Sequence, residues 1–186
     1  PEYGRKRKEC EARVEAQDDV STTGRANPSE CILPDVFLAA LKRLNPQVEE
    51  GVLQGILRDF RKDYTATDMV ETNYKLYNQL RNGIKKPVRK NGKEDFDIVR
   101  LIDFDHPERN DFHCVNQMWI KGHYRYRRPD VLLFVNGLPV VFIELKNSTV
   151  KVEESYNKNL TSYRKDIPNI FSFNQICVLS NGLQTK

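Results

Sequence analysis

Arg127-Arg-Pro-Asp-Val-Leu-Leu-Phe-Val-Asn-Gly-Leu-Pro-Val-Val-Phe-Ile-Glu-Leu-Lys-Asn147 is the stretch whose reading decides the fold. Two apolar runs, Val131-Leu-Leu-Phe-Val135 and Val140-Val-Phe-Ile143, flank Asn136-Gly137. Asn-Gly accepts the left-handed conformations of a tight turn, so the stretch reads as a β-hairpin. Its strands are apolar at consecutive positions, as expected of central strands covered on both faces. Neither run approaches the length of a membrane span. Asp130 stands at the entry to the first strand, and Glu144 and Lys146 at the end of the second.

These three residues form one site only if the hairpin has a particular register. Glu144 and Lys146 are two apart and project from the same face. An unbulged two-residue turn would pair Val135 with Leu138 and Asp130 with Ile143, turning Glu144 away from Asp130. A three-residue loop would pair Phe134 with Leu138 and Asp130 with Phe142, leaving Asp130 and Glu144 diagonal on one face. A shared site therefore predicts such a loop, or a bulge near Pro129 or Pro139.

The chemistry such a site supports is specific. Two carboxylates can share a hard divalent cation such as Mg²⁺, which takes oxygen ligands. That ion polarises a phosphoryl oxygen and activates water. Lys146 can orient the water, offset transition-state charge or, with its pKa depressed by burial, act as a base. The plainer reading is a pair of strand-end carboxylates with a solvated lysine. Against it, Glu144 follows six consecutive apolar or Pro residues. An ionised group emerging from a buried strand is costly without a partner.

Working outward, apolar residues at helical spacing precede the hairpin. Ile32, Leu33, Val36, Phe37, Ala40, Leu41 and Leu44 form one stripe, which predicts a helix from near Glu30 to Asn45-Pro46. Pro34 must then lie in its first turn. A second helix is predicted over about 48–61 and a third over 68–82. The third has a capping box at Asp68 and Glu71 and a stop at Gly83. Residues 85–93 read as a basic loop. From Phe96 the period changes to two, predicting strands over 97–104 and 112–120. Residues 152–166 return to helical spacing, Pro168 ends that helix, and 174–179 reads as a last strand. The order is that of an α/β layer with a mixed sheet. Three parts follow: a charged segment over 1–28, a helical part over 29–95 and a core over 96–186.

The chain has 30 Lys+Arg and 26 Asp+Glu, and the resulting +4 suits a nucleic-acid binder and many plain enzymes alike. Cys10, Cys31, Cys114 and Cys177 are scattered without a CxxC pair, which argues against a zinc module and for reduced thiols in a cytosol. No signal peptide is visible, and neither G-x-S-x-G nor a P-loop occurs, so covalent hydrolase chemistry and ATP use find no support in these residues. The chain opens on Pro1 and closes at Lys186 after a turn-like Ser180-Asn-Gly182, and is expected to be part of something longer.

Val99-Arg-Leu-Ile-Asp-Phe-Asp105, Asn110-Asp-Phe112, Val115-Asn-Gln117 and the 127–147 stretch together closely resemble the N-terminal nuclease domain of type I restriction enzyme R subunits, of the PD-(D/E)xK superfamily. The resemblance runs over about 27–182. It implies a restriction-endonuclease-like mixed β-sheet core flanked by helices, with a helical N-terminal part. It also implies Mg²⁺-dependent cleavage of double-stranded DNA, in a cytoplasmic complex with methylation (M) and specificity (S) subunits. ATP would act only through a motor domain beyond Lys186. By the resemblance Asp130 and Glu144 become metal ligands, Lys146 the catalytic lysine and the Leu145 carbonyl a further ligand. Glu30 matches the acidic residue that the family's first helix brings to the site; the plainer reading is a helix-start carboxylate. Asn159 and Tyr163 match a Gln-x-x-x-Tyr pair, with Asn one methylene shorter than Gln. A spacing of four puts both on one helix face, facing DNA or a metal-bound water by the family's pattern.

DNA contacts are expected from Lys121-Gly-His-Tyr-Arg-Tyr-Arg-Arg128, chiefly Arg125, Arg127 and Arg128, with Lys165 and Arg164 weaker candidates. The plainer reading is an edge strand that uses charge against aggregation. A second functional reading also stands at this point: a DNA-binding or assembly module that keeps the fold without turnover.

Overall fold

The computed structural model describes residues 19–64, 68–90, 93–123, 125–152 and 155–186. After a helical turn at 19–23 come three helices: α1 (Pro34–Leu44), α2 (Glu50–Phe60) and α3 (Met69–Asn82). A hairpin of β1 (Ile84–Lys90) and β2 (Lys93–Val99) follows, then β3 (Phe112–Asn116) and a small ribbon of β4 (Ile120–Lys121) and β5 (Tyr126–Arg127). The central hairpin is β6 (Val131–Val135) and β7 (Leu138–Leu145). A π-helical segment, Ser155–Leu160, runs into α4 (Thr161–Asp166), followed by α5 (Pro168–Phe173) and β8 (Ile176–Ser180). The main sheet has the order β3-β6-β7-β8. Its first two pairs are antiparallel and β7–β8 is parallel, so the architecture is mixed α/β. The parallel pair requires a crossover, which the helical stretch between β7 and β8 provides.

The decisive feature is the β6–β7 register. Asn136 and Gly137 form a two-residue turn with φ of 50° and 79°, and Val135 pairs with Leu138. Phe134 then pairs with Pro139 but Leu133 with Val141, so Val140 is an extra, bulged residue. The loop is therefore shorter than the three-residue alternative, and the bulge beside Pro139 supplies the shift. Past it, Val131 faces Ile143, and one further step carries Asp130 across from Glu144. The bulged backbone is satisfied from outside the ladder: the Val140 carbonyl accepts from the Gln175 amide at 2.8 Å.

Several other expectations need correction. α1 begins at Pro34 and not near Glu30. Leu33 is extended, and its amide donates to the Gly137 carbonyl at 2.8 Å, which takes it out of the helix; Pro34, lacking an amide, suits the first helical position. The basic stretch over 85–93 lies largely in a paired hairpin, whose residues 91–92 fall outside those described. The strand read over 97–104 ends at Val99, because the Arg100 amide turns to the Asn45 side chain at 2.7 Å. The strand read over 112–120 breaks at Gln117, whose φ is 52°. Pro168 ends one helix as expected but also opens α5, in the first position that a proline favours. α3 keeps Asp68 as its N-cap, with the Glu71 amide on the Asp68 side chain at 2.8 Å, and its stop at Gly83.

Two apolar clusters hold the chain together. One joins α1, α2 and α3 through Phe37, Leu53, Ile56, Phe60 and Leu76 to Leu138 and Phe173. The other lies under one face of the sheet, where Leu132, Phe134 and Phe142 meet Leu160, Tyr163, Ile170 and Phe171. The opposite face, with Val131, Leu133, Val141 and Ile143, is half-buried, so cover is fuller on one side than the apolar runs suggest.

Candidate active site

Burial alternates along the outer part of β7, and Glu144 falls on the same face as Phe142. Its side chain is thus drawn into the layer between the sheet and the 155–166 helix, where Glu144 is only 3% exposed. Oε1 accepts from Lys146 Nζ at 2.5 Å and from Asn159 Nδ2 at 3.1 Å. Oε2 is buried and has no hydrogen-bond partner. A carboxylate in this position is expensive unless a cation meets the free oxygen.

Asp130 is half-buried and anchored by its own peptide and its side chain. Its carbonyl accepts the Gln117 amide at 2.9 Å, and its Oδ2 accepts the Leu145 amide at 2.7 Å. The second bond draws the Leu145 peptide up to Asp130. Lys146 continues past the strand end, with its amide on the Ser180 carbonyl at 2.7 Å, so its backbone is tied to β8.

The π-helical segment brings a third group. Asn159 and, one turn later, Tyr163 both face the sheet rather than solvent. Wider turns of this kind recur at functional positions in helices. The Tyr163 hydroxyl donates to the Arg128 carbonyl at 3.2 Å. Burial, then the charge of Glu144 and the nearness of its carboxylate to the hydroxyl, and then the Asp130 charge, push the Tyr163 phenol well above its ordinary value, so it stays a neutral donor.

The remaining sequence candidates divide. Glu30 is buried, but its carboxylate takes the Ala26 amide at 2.7 Å and an ion pair with Arg61. Among the described residues no three His, Cys, Asp or Glu side chains gather as a metal site, so Glu30 does not join Asp130 and Glu144. Arg127 gives its guanidinium to Asp166 and lies over the Tyr163 ring at 5.6 Å. Arg128 is exposed and stacks over Trp119 at 5.0 Å, and Arg125 and Lys165 are exposed. Asp166 had no role in the sequence reading; an acidic residue three after Tyr163, at the end of the same helix, was the available signal. An apolar groove of about 690 Å³ lies elsewhere, between Tyr77, Leu80, Phe104, Phe112, Val135 and Val140. The site is picked out by converging charge and not by cavity size.

Two carboxylates, one with a buried unpartnered oxygen, fit a hard cation that draws its other ligands from water and phosphate, as Mg²⁺ does.

Known proteins match this chain in sequence. Residues 5–186 match the family described as type I restriction enzyme R protein N terminus. The chain belongs to that family. A relative in Methanocaldococcus jannaschii, named putative type I restriction enzyme MjaIXP endonuclease subunit, is 33% identical over 170 residues. Another in Haemophilus influenzae, named type I restriction enzyme HindI endonuclease subunit, is 32% identical over 166 residues. Each match covers 87% of this chain and 16% of the relative, so the chain spans about a sixth of their length. For an R protein N terminus, the mixed sheet with Asp130, Glu144 and Lys146 at one end is the restriction-endonuclease-like core that the motif implied. No described helix is long and apolar enough to cross a membrane.

Proposed function

We propose that this chain is a metal-dependent nuclease domain that hydrolyses phosphodiester bonds of double-stranded DNA, with Mg²⁺ as its ion. One observation carries the reading: Glu144 is buried, with one oxygen held by Lys146 and Asn159 and the other without a partner. Asp130 and Glu144 would hold the ion, with the Leu145 carbonyl beside them. When bound, the ion polarises the phosphate and offsets charge on the departing oxygen. Asp130 is oriented by the Leu145 amide, and Glu144 by Lys146 and Asn159, so neither carboxylate must reorganise. Lys146 keeps its ammonium beside the reacting phosphate, where it orients the attacking water and offsets developing charge. Tyr163 holds the Arg128 carbonyl and thereby the strand entry at Asp130. Arg125, Arg128 and Lys165 neutralise DNA phosphates, a contact that fixes position without reading bases.

In the whole R subunit the same domain would cut after translocation by an ATP-driven motor, in a cytoplasmic complex with M and S subunits. The relatives' names as type I restriction endonuclease subunits favour that setting. The test is conversion of supercoiled plasmid to open circles by the purified chain, in Mg²⁺ and in EDTA, beside Glu144→Gln. Nicking by the parent in Mg²⁺ alone is expected. Equal nicking in EDTA, or by Glu144→Gln, would contradict the reading.

A further inference from the structure

The sequence suggests a DNA phosphate as the partner of Arg127, but the fold supplies a different one. Arg127 Nε donates to Asp166 Oδ2 at 2.7 Å, and Nη2 reaches the same oxygen. Asp166 is buried and ends α4, where a carboxylate opposes the helix dipole. Burial and dipole together make a cation at this point a requirement. The ribbon carrying Arg127 also touches Asp166 through its backbone. A Cβ on Gly122 would lie 1.7 Å from the Asp166 carbonyl oxygen, so the β4–β5 turn rests directly on the end of α4. One residue on, Tyr163 of the same helix holds the Arg128 carbonyl. Pro129 is buried and Asp130 follows.

From this geometry we infer that Arg127 and Asp166 form a clasp that docks the basic β4–β5 ribbon onto the helix bearing Asn159 and Tyr163. Arg127 is thus a positioning residue and not a phosphate ligand. The clasp fixes the peptide that enters the site at Asp130, and leaves Lys121, Arg125 and Arg128 among the exposed cations of the ribbon. The inference rests on the nuclease reading for its activity measurement alone.

Trp119, the chain's single tryptophan, reports on the ribbon directly. Its ring stands edge-on to Tyr126 at 6.4 Å and beneath Arg128. The experiment compares the full chain with Arg127→Lys, Arg127→Gln, Asp166→Asn and the double variant Arg127→Gln/Asp166→Asn, after circular dichroism has established that each is folded. Acrylamide quenching of Trp119 should rise about twofold in Arg127→Gln and in Asp166→Asn, and no further in the double variant. Nicking at saturating DNA should fall about tenfold in the same proteins. Arg127→Lys keeps the charge but not the two-nitrogen grip, and should follow Arg127→Gln. The slope of log K against log salt should be unchanged by Arg127→Gln, whereas Arg125→Gln should make it shallower by about 0.9.

Unaltered Trp119 quenching in folded variants would overturn the clasp. So would tighter DNA binding by Asp166→Asn, which would mean that Asp166 restrains a phosphate-seeking arginine. A variant that is less stable yet nicks at the parental rate would show a structural pair only, and would also overturn it. If the parent itself does not nick, that result falls on the nuclease reading, and Trp119 still decides the clasp.

Discussion

Asn159 donates its side-chain amide to Glu144 Oε1 at 3.1 Å, the same oxygen that Lys146 holds. Both donors converge on one atom, and the other oxygen is left to the site. Asn159 therefore acts on a carboxylate and not on DNA in this arrangement. Asn159→Ala should lower nicking by about tenfold, the worth of one hydrogen bond to a charged group, with DNA affinity nearly unchanged. Asn159→Asp sets a second carboxylate against Glu144 and should be worse than Asn159→Ala. Parallel nicking and filter-binding titrations check this; a loss confined to DNA binding would return Asn159 to a DNA-contact role.

The hairpin turn that sets the register is itself strained toward glycine. At Gly137 φ is 79°, and a Cβ there would lie 2.5 Å from the Leu33 carbonyl oxygen and 2.8 Å from the Phe37 amide nitrogen. Gly137→Ala should destabilise the chain by roughly 2–4 kcal/mol, from the left-handed conformation and the overlap together. Urea unfolding measures this. A change below about 0.5 kcal/mol would mean that the turn is looser than the contacts require.

The bulge offers a second test of the register. Deleting Val140 removes the extra residue but none of the pairs, so Leu133 still faces Val141 and Asp130 still lies across from Glu144 in an unbroken ladder. The deleted form should keep Mn²⁺ binding at the site, followed by calorimetry, where circular dichroism reports a folded sheet. Loss of Mn²⁺ binding in a folded deletion variant would contradict the register account.

One half-buried and one buried phenol give the chain an alkaline limit. Burial pushes Tyr64 up to about 12, and Tyr163 is also raised. Unfolded tyrosine ionises near about 10. Below that pH the contribution of both phenols is complete. Above it the unfolded state sheds protons that the folded state keeps, so stability falls as pH rises toward the folded values. Urea midpoints should be level up to about pH 9 and decline beyond about 10, and Tyr163→Phe should soften the decline. An equally steep decline in a Tyr64→Phe/Tyr163→Phe variant would assign it to other groups.

Much of this was legible in the sequence where local rules act alone. Asn136-Gly137 gave away the turn, and Asp68, Glu71 and Gly83 the ends of α3. The need for Asp130 and Glu144 to share a face implied a three-residue loop or a bulge near Pro129 or Pro139, and the bulge lies beside Pro139. What could not be read depends on distant partners. Leu33 leaves the helix for a bond to Gly137, over a hundred positions away, so α1 starts late. Arg100 leaves its strand for Asn45. Glu30 and Arg127 carry the same charge in any context, and only the fold decides that one meets Arg61 and the other Asp166.

Lys146 separates catalysis from binding most directly. In Lys146→Ala the ammonium on Glu144 Oε1 is lost, while the exposed arginines of the ribbon are untouched. The measurement is single-turnover nicking of plasmid DNA in Mg²⁺ by the parent and by Lys146→Ala, with DNA affinity determined on the same preparations. Nicking should fall by at least about a hundredfold, as for loss of a charge-stabilising group, with affinity within about threefold of the parent. Nicking by Lys146→Ala at the parental rate would contradict the account, and so would a parent that binds DNA yet never nicks it.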